Sequence, residues 1–143
     1  NVIPSEAEAS IDIRMLPDED LPAFYAEMAR VIGEPAVKIV PMFEERPVAP
    51  SSRLDTDMYR ALEQAAKRVY PGATTLPGML TAATDMAQLR VKGVQAYGIG
   101  PAMTDDDRTN FAWHSDVERL LETSLYQFVE FTWNAVTEVA VKK

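Results

Sequence analysis

Residues 6–15 (EAEASIDIRM) alternate strictly. Ala7, Ala9, Ile11, Ile13 and Met15 share one side of a period-2 pattern, and Glu6, Glu8, Ser10, Asp12 and Arg14 share the other. Ten residues of such alternation predict a strand with one buried and one polar face. Leu16-Pro17-Asp18 closes it. Helix signals follow: Asp20 as N-cap, Pro22 in the first turn, and Leu21, Phe24, Met28 and Val31 as an apolar stripe. Gly33 stops this helix and Pro35 prevents its resumption. Residues 36–42 (AVKIVPM) predict a second strand, cut short at Pro41.

A charged stretch rich in Pro and Ser (EERPVAPSSR, 44–53) predicts a linker, dividing the chain into pieces 1–46 and 47–143. Beyond it, Met58, Leu62, Ala65, Ala66 and Val69 predict a helix from about Asp55 to Val69, ended by Pro71-Gly72. An extended stretch over 73–79 precedes a short helix capped by Thr84 and closed near Gly93. Residues 94–99 (VQAYGI) predict a short buried strand, and 100–112 an acidic loop. Ser115-x-x-Glu118 matches a capping box and predicts the start of a last helix. That helix keeps Val117, Leu120, Leu121, Ser124, Leu125, Phe128, Phe131, Thr132, Ala135, Val136 and Val139 on one face. The order β-α-β, linker, α-β-α-β-α predicts an α/β fold whose first piece is half of a small α+β sandwich. Two strands and one helix cannot fill a core, so the complementary half is expected upstream of Asn1.

Composition narrows the function. Lys+Arg number 14 and Asp+Glu 22, a net charge of −8 with no basic run, which argues against a nucleic-acid partner. No apolar stretch reaches the roughly 18 residues of a membrane span, so no membrane partner is expected. With no Cys there is no disulfide framework and no thiolate metal site, and the compartment stays open. The single His, His114, sits at a loop-to-helix junction beside Trp113. It has two readings: a metal ligand or catalytic group, or a ring held by packing or a backbone hydrogen bond. Glu118 either caps the helix or supports an active-site group. Thr84 either caps its helix or helps bind an anion at the helix start. Arg14 is either a solvated charge or a fork for a carboxylate. Asp105-Asp106-Asp107 lacks calcium-loop spacing and is expected to be a solvated acidic run.

Four motifs in order carry a resemblance. Asn1-Val2-Ile3-Pro4 leads into Asp12-x-Arg14-x-Leu16-Pro17. After it come Thr81-Ala82-Ala83-Thr84-Asp85, then Val94-Gln95-Ala96-Tyr97-Gly98-Ile99-Gly100-Pro101, then His114-Ser115-Asp116-Val117-Glu118-Arg119. Together they resemble the zinc-dependent aminoacylase/carboxypeptidase family. The resemblance implies a hydrolase that uses two zinc ions to cleave a peptide or N-acyl amide bond next to a free carboxylate. It implies that 1–46 is the second half of a lid or dimerisation domain, and that 47–143 is the closing segment of a catalytic domain. It places His114 as a zinc ligand, Asn1, Arg14 and Thr84 against substrate, and Glu118 as the support of the His114 loop. It implies a small peptide or N-acyl amino acid substrate and a homodimer formed through the lid. Ala82 departs from the family pattern, where a Gly is usual. The remaining zinc ligands and the general base would lie upstream of Asn1, so this chain alone is expected to be inactive. The alternative is a non-catalytic α/β binding or dimerisation module.

Overall fold

A helix satisfies its own backbone, whereas a strand needs a neighbour. That difference divides the chain. The computed structural model describes residues 3–42, 49–80, 82–111 and 113–141. Among them are five helices: α1 (Leu21–Ile32), α2 (Asp57–Val69), α3 (Met86–Val91), α4 (Asp105–Asn110) and α5 (Glu122–Ala140). No strand or sheet occurs among the described residues. The expected α/β fold is therefore corrected to an all-helical arrangement. Residues 6–15, 36–42, 73–79 and 94–99, expected as strands, carry no ladder. Alternation decides which side chains share a face, but no second strand supplies the hydrogen bonds. Ile11, expected on a buried face, is 68% exposed. The period-2 geometry survives locally: Arg14 forks onto Asp12, two residues back on the same side, at 2.9 and 2.7 Å. The division at 46/47 falls in 43–48, outside the described residues.

The helix signals fare better. The Asp20 carboxylate accepts from the Ala23 amide at 2.7 Å, and Gly33 closes α1 at φ 63°, with its N–H on Ala29 O. Left-handed φ is the conformation in which glycine carries no Cβ penalty. In α2 the cap is Thr56, whose hydroxyl accepts from the Tyr59 amide at 3.1 Å. α5 begins seven residues later than Ser115. The Glu118 carboxylate accepts from the His114 amide rather than from Ser115, so the pattern there builds a turn and not a helix start. Glu122 instead occupies the first turn of α5, where its negative charge complements the positive end of the helix dipole.

α2 against α5 is the one packed pair of elements among the described residues. Leu62, Ala65, Phe131 and Ala135 form its core, flanked by Met58, Ala66, Val69, Tyr70, Tyr97 and Phe128. Ala135 is fully buried, and the alanine methyls let the two backbones approach closely. The Phe128 and Phe131 rings stack at 6.3 Å, and Tyr70 tilts against Phe131 at 6.2 Å. The presumed linker is not free where it is described. Ser51 donates to Asp18 (2.9 Å), Ser52 to Ala96 O (2.9 Å), Arg90 to Pro50 O (2.8 Å) and Tyr97 to Arg53 O (2.5 Å). The Thr56 and Tyr97 hydroxyls also meet. Since Tyr97 donates to Arg53, Thr56 supplies the proton between them. Side chains, not a ladder, thus hold 94–97 to the entrance of α2.

Two substitutions test this core. Phe131→Ala is expected to destabilise the chain by about 3–5 kcal/mol in urea unfolding, because it empties the centre of the α2–α5 contact. The Tyr70 hydroxyl is buried without a partner among the described residues. Tyr70→Phe removes an unsatisfied oxygen and keeps the ring, so stability is expected to hold or rise by about 1 kcal/mol in the same measurement.

Candidate functional site

The residues around His114 form two nested loops, each closed by a side chain. The inner loop runs from 114 to 118. The Glu118 carboxylate accepts from the His114 amide at 3.0 Å, and the Glu118 amide donates to Ser115 O at 3.1 Å. His114 itself has φ 65°. A side chain in the left-handed region costs about 1–2 kcal/mol, so this backbone is held by its surroundings rather than by preference. Among the described residues no hydrogen bond engages the imidazole, which stands exposed beside Trp113 (62% exposed).

The outer loop closes between α4 and Arg119. Thr104 and Asp107 make a full capping box: the Thr104 hydroxyl accepts from the Asp107 amide (3.1 Å), and the Asp107 carboxylate accepts from the Thr104 amide (3.1 Å). The Thr104 hydroxyl also donates to that same carboxylate oxygen at 2.6 Å. The other oxygen accepts from Arg119 Nε at 2.9 Å, so Asp107, only 2% exposed, has both oxygens bonded. Arg119 Nη2 reaches Asp106 at 2.7 Å, and the guanidinium carbon lies 3.5 Å from the Phe111 ring centre. A cation over a ring face is favourable in itself. The run 105–107 is therefore the first turn of a helix rather than a loop; Asp105 and Asp106 stay in solvent as expected, and Asp107 does not.

Electrostatics agree with this geometry. The Thr104 hydroxyl, then Arg119, hold the Asp107 carboxyl below its usual range, and Asp107 raises Arg119 in turn. A carboxylate whose folded pKa is depressed stabilises the fold above its unfolded pKa, and that contribution is lost as pH falls through the folded value.

The other predicted site residues stand apart. Asn1 lies outside the described residues, as does Thr81 of the second motif. Arg14 is fork-on to Asp12 in solvent. Thr84 is exposed and does not cap α3. Asp85 occupies that position without a side-chain bond. Two shallow depressions lie elsewhere, one along α2 and α5 and one at the end of α1, and neither touches His114. Among the described residues no three His, Cys, Asp or Glu converge on a metal position. His114 offers one imidazole, so these residues do not by themselves fit a two-zinc centre. Among the described residues no helix is long and apolar enough to cross a membrane.

Comparison with known proteins points the same way as the motifs. Aminoacylase-1 of Mus musculus is 28% identical over 142 residues, covering 98% of this chain and 34% of that protein. Aminoacylase-1A of Rattus norvegicus is 30% identical over 145 aligned residues, again covering 98% of this chain and 34% of that protein. The chain is similar to aminoacylases. It spans about a third of the length of these curated relatives. No family model and no solved structure matches it.

The Asp107 contact has a pH signature. By carboxyl NMR, Asp107 is expected to titrate below the ordinary Asp value of about 3.9, so the α4 clamp persists as pH falls through 4 and opens only below that. Arg119→Gln removes one of the lowering partners and is expected to move this titration upward.

Proposed function

We propose that this chain is the C-terminal part of a zinc-dependent hydrolase of N-acyl amino acids, and that His114 is its contribution to the metal centre. The observation that carries this reading is the similarity to aminoacylases across 98% of the chain. The exposed imidazole, held on a left-handed turn by Glu118 and free of other bonds among the described residues, suits a donor awaiting partners. The remaining ligands and the general base belong to the rest of the protein. One ligand by itself defines no metal centre.

In this reading the substrate is an N-acyl amino acid, or a small peptide, whose amide bond adjoins a free carboxylate. Arg14, with Asn1, meets that carboxylate. The Arg14 fork already holds one carboxylate, that of Asp12, and both groups are in solvent, so an incoming anion exchanges for a weakly held partner. Thr84 lies along the substrate, and Glu118 keeps the His114 turn in place. Residues 1–46 then belong to a lid through which two copies pair, and 47–143 to the catalytic part.

The test is made on the full-length protein. It is expected to release free amino acid from N-acyl amino acids and to contain zinc. His114→Ala is expected to lower kcat/KM by more than the roughly 10–100-fold that loss of an outer partner costs, with a fall in zinc content. Glu118→Ala is expected to fall within that 10–100-fold range. The 143-residue chain alone is expected to do neither. Hydrolysis unchanged in His114→Ala overturns the metal-centre role of His114, and no hydrolysis by the full-length protein overturns the proposal and leaves a non-catalytic module.

A further inference from the structure

We infer that Arg119 is a positioning residue for His114, acting through Asp106, Asp107 and Phe111. This rests on the reading of His114 as a functional imidazole. Glu118 and Arg119 are adjacent, yet their side chains run to opposite flanks of the same loop. Glu118 goes to the His114 amide, and Arg119 goes to α4, 12 and 13 residues back.

The two grips constrain different things. Glu118 fixes the turn at 114–118 but not where that turn stands. Arg119 fixes where residue 119 stands, because Asp107 is buried and its second oxygen is bound to Thr104, while Phe111 covers the guanidinium from one face. With residue 119 pinned to α4, the loop that starts at 107 is closed at its base, which restricts where the turn bearing His114 stands relative to α4. A lysine can make one of these bonds but not the planar two-carboxylate fork over a ring. Closing a loop of this length removes freedom that a donor ligand or proton carrier must otherwise lose at each encounter.

The test uses the full-length protein with Arg119→Gln and Arg119→Lys. Amide hydrogen exchange at His114 is expected to rise at least about 10-fold in Arg119→Gln, with exchange in α2 and α5 unchanged. On an N-acyl amino acid, kcat is expected to fall about 10-fold or more with KM within twofold, and Arg119→Lys is expected to lie between the two in both readouts. Asp106→Ala removes only the exposed partner, and serves if Arg119→Gln does not fold. It is expected to shift His114 exchange in the same direction by a smaller factor. His114 exchange within twofold of the native value, or a rise matched equally in α2 and α5, overturns the inference. The hydrolase reading fails separately, through absence of hydrolysis by the native full-length protein, and that failure would leave the exchange result intact.

Discussion

The close contact of α2 with α5 is the constraint on which the rest of the described structure depends. Ala65 and Ala135 bring the two backbones together, and Leu62 and Phe131 fill the space beside them. Burial of those side chains supplies the hydrophobic stabilisation that isolated helices of this length lack in water. Tyr97 joins the same cluster and carries 94–97 with it, through its bonds to Arg53 and Thr56. α5 in turn anchors one end of the His114 loop, since Arg119 lies three residues before it. The His114 loop therefore hangs between a packed helix and the small helix α4.

Helix positions were legible in the residues because their determinants are local. Asp20, Gly33 and the Met58–Val69 stripe each act within a turn or two. Strands were not legible in the same sense. The alternation of 6–15 is real, and the Arg14–Asp12 fork still records it, but a strand exists only with a partner. Nothing in ten residues names that partner. The start of α5 was misplaced for a subtler reason. Ser115-x-x-Glu118 has the composition of a cap, yet the Glu118 carboxylate finds the amide of His114, one residue too early. The box that did form, Thr104-x-x-Asp107, has the same S/T-x-x-acid pattern and was hidden inside a run of three aspartates.

The site was partly visible. The spacing pointed to a Glu118 cap on Ser115, whereas the Glu118 carboxylate bonds the His114 backbone. Arg14 is engaged by Asp12, Thr84 stands exposed, and Asn1 falls outside the described residues. Asp107 and Arg119 carried no sequence signal as a pair. A link across 12 residues depends on how α4 and the loop turn, which neither residue announces. Their role emerges only with distances: two carboxylates and a ring converge on one guanidinium.

Amide hydrogen exchange on the 143-residue chain, followed through increasing urea, tests the dependence on the α2–α5 contact most directly. The amides of Leu62, Ala65, Phe131 and Ala135 are predicted to exchange slowest and to lose protection together at one urea concentration, while residues 6–15 and 36–42 exchange as open chain at every concentration. Protection over 6–15 or 36–42 equal to that of α5, or α2 and α5 opening at separate urea concentrations, would contradict it.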